Sequence, residues 1–246
     1  MALSDDIIGA FEGHSVKQVR AALDRGLDPN ARVKGRSLVN WLTEMYSRGP
    51  GFARCLQVLL DRGAVLDDPV LAPVLLNDAD ALSAALRTSP SLLTHRTTMV
   101  SAFTPLLGAS LLHVAAEYGH ADVAKVLIEK GADVNVRADT DEHGLNGHTP
   151  IFHTVNSICN HAAPILKMLL DAGAKTDIAL RGITWGKGFE WDTTLFDVTP
   201  LSYAQFGLLP QVHRSEREIY ANITLLLDAA GRTERATNVP NRYLKS

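Results

Sequence analysis

Ser110-Leu-Leu-His-Val-Ala-Ala-Glu-Tyr-Gly-His120, then Val123-Ala-Lys-Val-Leu-Ile-Glu-Lys-Gly-Ala132 and Asp133-Val-Asn135, is the stretch that decides the fold. Ser110 has a side-chain oxygen able to cap orphan amides, so it suits the first position of a short helix. Gly131 suits the left-handed position where the second helix stops, and Gly119 stands in the turn before that helix. Between them, Ala124, Leu127 and Ile128 stand at i, i+3 and i+4, one apolar stripe of a helix. The unit is therefore helix, turn, helix, glycine stop, then a turn at Asp133-Val-Asn135.

The second half of this unit recurs without gaps along the chain. It starts at Gln18, Cys55, Ala81, Val123, Ile165 and Asn222. The stripe repeats as Val19/Ala22/Leu23, Leu56/Leu59/Leu60, Leu82/Ala85/Leu86, Leu166/Leu169/Leu170 and Ile223/Leu226/Leu227. Glycine closes four copies, at Gly26, Gly63, Gly131 and Gly173, while Ser89 and Ala230 stand in the other two. The first half starts at Ser4, Ser37, Asp68, Ser110, Thr149 and Thr199, all good N-cap residues. Proline follows in three copies, at Pro69, Pro150 and Pro200, the favoured first helical position.

These residues resemble the ankyrin-repeat family. The resemblance rests on SLLHVAAEYGH with VAKVLIEKGADVN (110–135), on GHTPIFHTV with ILKMLLDAGA, and on VTPLSYA with ITLLLDAA. It covers residues 4 to about 231 and is weakest in the third copy. It implies an all-α ankyrin-repeat solenoid of about six helix–turn–helix repeats, one domain over 1–246, in which neighbouring repeats share a thin core. It also implies that His113 side-chain hydrogen bonds tie its repeat together, with Ser110 in the usual Thr place. Asn135 is read as a turn residue bridging neighbouring fingers, the segments that run from one repeat's stop to the next repeat's start.

Composition agrees with this picture. The 246 residues are 46% hydrophobic but only 6% aromatic, as a thin core of small aliphatic side chains requires. The net charge of −3 gives no electrostatic footprint for nucleic acid or an anionic membrane. No apolar run reaches the length of a membrane span and no signal peptide opens the chain, so the expected setting is cytoplasmic. Cys55 and Cys159 both lie in apolar helical patterns and read as buried free thiols.

Functional expectations come from the departures. The finger from Ile178 to Val198 reads IALRGITWGKGFEWDTTLFDV and carries Trp185, Phe189, Trp191 and Phe196. Its alternation predicts a β-hairpin with a Gly-Lys-Gly turn near 178–198. Trp and Arg dominate interface hot spots, which makes this finger a contact tip. Folding down to cap the end repeats is the equal alternative. The candidate binding residues are Trp185, Phe189, Trp191, Arg181 and Lys187, joined by Asp139, Asp141 and His143 of the preceding finger. The expected function is non-catalytic binding of a protein partner through these fingers and the concave face, by a monomer. A self-assembling subunit using its terminal repeats, with the basic tail 232–246 as cover, is the second reading.

Catalysis and metal binding find no support. There is no G-x-S-x-G elbow, Walker loop, H-E-x-x-H or G-x-G-x-x-G. His143, His148, His153 and His161 read as spread along one repeat and exposed, so no metal and no cofactor are expected.

Overall fold

A computed structural model of the chain describes residues 3–187, 190–207 and 216–233. Twelve α-helices in the described residues form consecutive antiparallel pairs. They are α1 (Leu3–Glu12) with α2 (Val16–Asp24), α3 (Leu38–Thr43) with α4 (Phe52–Asp61), and α5 (Ala72–Leu75) with α6 (Ala79–Thr88). After these come α7 (Leu111–Tyr118) with α8 (Ala121–Glu129), α9 (Ile151–Val155) with α10 (Ala163–Asp171), and α11 (Pro200–Phe206) with α12 (Glu216–Ala229). First helices stack on first helices, as α7 on α9 on α11, and second on second, as α8 on α10 on α12.

The repeated stripe explains the stacking. The first stripe position, Val19, Leu56, Leu82, Ala124, Leu166 and Ile223, is buried in every pair. The second is buried in all but Ala85, whereas Leu60, Ile128 and Leu170 of the third stay half-buried. Each fully buried Leu contributes roughly 1.5–3 kcal/mol of transfer free energy, and no helix pair can bury its own stripe. The stops behave as their residue type predicts: Gly26, Gly63, Gly131 and Gly173 all sit at φ between +85° and +93°.

Local capping follows the sequence with exceptions. Ser37 and Thr199 accept from Asn40 and Ser202 amides, and Asp68 accepts from Val70. The start predicted at Ser4 falls inside α1. Thr149 Oγ1 is buried without a partner, so α9 begins uncapped by that hydroxyl. Cys159 is exposed rather than buried, because the backbone leaves the helical pattern there: Cys159 and Asn160 both have φ near +50°.

The third pair is the short one. Asp68-Pro69 opens only a 3-10 turn, Pro69–Leu71, before the four residues of α5. Pairs two and four therefore meet directly. Tyr118 Oη donates to the Thr43 carbonyl at 2.7 Å, and the Phe52 and Tyr118 rings lie 4.8 Å apart.

The described residues also hold three two-stranded antiparallel ladders: β1 (Arg32–Val33) with β2 (Arg36–Ser37), β3 (Arg96–Thr97) with β4 (Ala109–Ser110), and β5 (Leu180–Trp185) with β6 (Thr193–Val198). The last is the predicted hairpin. Its second strand begins at Thr193, beyond the Phe189-Glu-Trp191 stretch, and Trp185 pairs with Thr193. Phe189, the residues 208–215 and the tail from 234 lie outside the described residues.

Candidate functional site

Residues 98–108 hang as a loop between β3 and β4, whose register pairs Arg96 with Ser110 and Thr97 with Ala109. This loop has no regular structure, yet Ser101, Ala102, Thr104 and Leu106 are buried. It lies as a strap on the inner face, the side of α7, α9 and α11 away from their second helices. Ser101 Oγ donates to the Glu117 carboxylate of α7 at 2.5 Å. Thr104 Oγ1 and Tyr203 Oη of α11 share a hydrogen bond of 2.8 Å.

The β5–β6 hairpin closes over the strap. Gly186 N–H donates to the Phe103 carbonyl at 3.2 Å. The Phe103 ring lies 5.7 Å from Trp185 and 6.1 Å from Trp191, and the two indoles are 4.6 Å apart. Trp185 also meets Phe206 edge-on at 5.4 Å. Trp185 is consequently 8% exposed, while Trp191 is 37% and Phe196 67% exposed. One side of the hairpin caps the inner surface with Trp185 and Trp191, and Phe196 turns away to solvent.

Beneath the strap is a buried polar network that the sequence reading missed. His148 and His153, expected to be exposed and apart, are buried and joined, with 3.0 Å between their Nε2 atoms. His153 Nδ1 donates to Glu117 at 2.8 Å, since a carboxylate only accepts. Arg48, from the turn after α3, donates to the same carboxylate at 3.3 Å. The Arg48 guanidinium also lies over the Tyr118 ring at 4.6 Å and the Phe103 ring at 5.4 Å. Both charged side chains are almost wholly buried, 3% and 4% exposed, so each depends on the other for compensation.

His113 behaves as the resemblance implied and also reaches further. Its Nδ1 accepts from the Ser110 amide at 3.1 Å, and its Nε2 donates to the His148 carbonyl at 3.1 Å. This is a neutral ring with each nitrogen used once by the backbone. Burial, and then the neighbouring His153, hold the pKa values of His113 and His148 well below the usual histidine value. For Glu117 burial pushes the pKa up, but His153, Arg48 and Ser101 outweigh it and the net shift is downward. The network can hold charge and geometry; among the described residues, no group of three His, Cys, Asp or Glu side chains converges to hold a metal ion.

The predicted binding residues fall into two neighbouring groups. Trp185 and Trp191 join at Phe103, with Lys187 exposed in the turn. Arg181 is exposed on β5 beside Gly144, so it meets the finger of Asp139, Asp141 and His143. His143 is open to solvent. Asp141 spends its carboxylate on its own finger, accepting from the amides of His143 and Leu145 and from Asn146 Nδ2. Asn146 in turn donates its amide to the Gly182 carbonyl of β5 at 2.7 Å. Asn135 bridges fingers as expected: its Nδ2 donates to the Gly173 carbonyl and its Oδ1 accepts from the Lys175 amide.

Toward the N-terminal end the inner face stays open. A cleft of about 300 Å³ lies between α3 and the start of the strap, lined by Val39, Glu44, Asp67, Leu71 and Val100 among others. Burial, partly offset by Arg36, raises the pKa of Glu44 there.

Comparisons with known proteins agree with this architecture. The Ankyrin repeat family model matches residues 107–139. An ankyrin repeat-containing protein of Schizosaccharomyces pombe is 44% identical over 45 residues, 18% of this chain and 19% of that protein. An ADP-ribosylation factor GTPase-activating protein of Arabidopsis thaliana is 41% identical over 73 residues, 30% of this chain and 8% of the relative. The NF-kappa-B inhibitor cactus of Drosophila yakuba is 35% identical over 71 residues, 29% of this chain and 13% of cactus. The matches thus span less than a fifth of each relative's length. Among the described residues no helix is long and apolar enough to cross a membrane. The matched segment 107–139, built around the α7–α8 pair and its Ser110–His113 capping box, is thus an ankyrin repeat within this chain.

Proposed function

We propose that the six helix pairs are six ankyrin repeats stacked as one solenoid, and that the chain is a non-catalytic module that binds a protein partner. The contact surface in this reading is the outer face of the β5–β6 hairpin with its neighbouring finger. It comprises Phe196 and the exposed edge of Trp191, flanked by Arg181, Lys187, Asp139 and His143. The observation that carries it is the 67% exposure of Phe196 on a hairpin whose other face is anchored by Trp185. A rigid platform presenting exposed aromatic rings loses little entropy on binding and supplies large contact area. The open inner-face cleft beside Glu44 and Asp67 extends the surface toward the N-terminal repeats. One relative is by its printed name an inhibitor of another protein, which fits a binding role. This reading sets the protein in the cytoplasm as a monomer, with no cofactor.

The test is partner capture from the native cell with two variants. Phe196→Ala combined with Lys187→Ala should remove the captured protein and leave the melting temperature within a few degrees. Trp185→Ala should instead destabilise by about 3 kcal/mol, as buried aromatic truncations do. The same protein held equally by wild type and the double variant would overturn the hairpin as contact surface.

A further inference from the structure

The turns that join first to second helices differ along the stack. Eight residues, 44–51, join α3 to α4 and seven, 156–162, join α9 to α10, but only three join α5 to α6 and two join α7 to α8. The two long turns stand as walls around the two short ones. Between them lies a cavity of about 590 Å³, at the end of the helices away from the fingers and the hairpin. Pro50 and Ile158 line it from the walls, Leu76 and His120 from the short turns, and Phe52 and Tyr118 complete the lining.

Both walls are held from within. Arg48 donates to the carbonyls of Met45 and Ser47 and to the Glu117 carboxylate. A Cβ on Gly51 would strike the His14 carbonyl, so this turn packs tightly on the pair before it. In the other wall, Asn160 Oδ1 accepts from Asn222 of α12 at 2.8 Å, and Ser157 Oγ accepts from the Ala162 amide at 3.2 Å. The cavity is therefore preformed, and it has the size and the largely apolar lining of small-molecule sites.

Most hydrogen-bonding groups around it are already used. Asn77 accepts from the Val123 amide and donates to Asp122, and Tyr118 donates to the Thr43 carbonyl. His120 is different. Its Nδ1 donates to the Val74 carbonyl at 2.8 Å, and burial lowers its pKa to about 4. At neutral pH the ring thus keeps a lone pair on Nε2, and among the described residues no group donates to it. The Phe52 and Tyr118 rings flank this imidazole at 6.1 and 5.9 Å.

We propose that this cavity is a binding site for a small planar aromatic molecule of indole size, carrying a ring N–H or O–H that donates to His120 Nε2. The aromatic class follows from three rings meeting at one corner, where a flat ligand stacks or meets ring edges. The donor follows from the lone pair, which an anion or a pure acceptor would face unpaired. The site lies away from the hairpin and stands independently of the protein-binding reading above.

The test uses the full chain with indole and with 1-methylindole, in which a methyl group replaces the donor hydrogen. Indole should bind, read by the amide shifts of Gly119 and His120. The methylated probe should bind at least about fivefold more weakly, the worth of one hydrogen bond. His120→Phe keeps a ring and loses the acceptor, so it should bring the two affinities together. A second measurement needs no variant. Cys159, the exposed thiol on the cavity wall, should react with iodoacetamide at least about threefold more slowly in saturating indole, while buried Cys55 stays unreactive. No shift with indole, equal binding of both probes to wild type, or an unchanged rate at Cys159 overturns the proposal. So does a tyrosine-containing peptide that binds more tightly than indole, because the occupant would then be a partner's side chain.

Discussion

Gly119 and Gly173 show how one residue type does two jobs. Both stand at left-handed positions, with φ of +67° and +85°. Around Gly173 a Cβ would meet open space, whereas at Gly119 it would overlap the His161 ring. That ring cannot swing away freely, because its Nδ1 lies 2.6 Å from the Ile158 carbonyl and its Nε2 3.4 Å from the Glu117 carbonyl. Gly173→Ala should cost about 1 kcal/mol, the left-handed penalty alone. Gly119→Ala should cost at least about twice that, measured by urea unfolding; equal costs would show that the His161 contact does not matter. The sequence marks Gly173 as a helix stop; that Gly119 ends α7 in the same conformation is seen only in the fold. Cys55 and Cys159 make the same point: one thiol is buried, its pKa pushed up to about 11 by burial, and the other is exposed on a left-handed turn.

The finger at 139–147 and the β5–β6 hairpin are coupled elements. Asp141 gathers two amides and the Asn146 side chain, and Asn146 passes the constraint to β5 through Gly182 and Thr184. Asp141→Ala frees these donors and should cost about 1–2 kcal/mol, as losing a capping side chain does. Its signature should be faster hydrogen exchange at Thr184, which donates to Asn146 Oδ1 at 3.3 Å. Unchanged exchange at Thr184 would show that finger and hairpin are independent. The hairpin itself was legible from alternating residues, because period-two patterning is local. Which ring faces inward was not, because Trp185 is buried by Phe103 and Phe206, residues distant in sequence. The strap was invisible for a related reason. Nothing in Ser101-Ala-Phe-Thr-Pro-Leu106 marks it as more than a long loop until Glu117 and Tyr203 are placed beside it.

Across the whole molecule, stability is tied to histidines kept neutral. His14, His113, His120, His148 and His161 all have pKa values lowered mainly by burial, His120 to about 4. The unfolded chain protonates these rings near pH 6.5 while the native chain refuses the proton. Their contribution is thus complete above about pH 6.5 and fades as pH falls toward 4. Glu117, with its pKa lowered, adds a further loss as pH falls below the ordinary carboxylate value. The urea midpoint should therefore drop between pH 7.5 and pH 5, and His120→Gln should flatten that fall; a midpoint independent of pH would contradict the buried neutral rings. What the sequence determined by itself is the row of helix pairs, their apolar stripes, their glycine stops and the bridging Asn135. Each of these depends on residues within one or two turns, or on the repeat itself. Only the tertiary structure decided that Arg48 reaches Glu117 across 69 positions, that Thr104 meets Tyr203 across 99, and that the inner face is filled. The physical reason is that buried polar pairs obey no periodicity. Their partners are chosen by which side chains the stack brings within hydrogen-bond reach, out of water, where an unpaired group is costly.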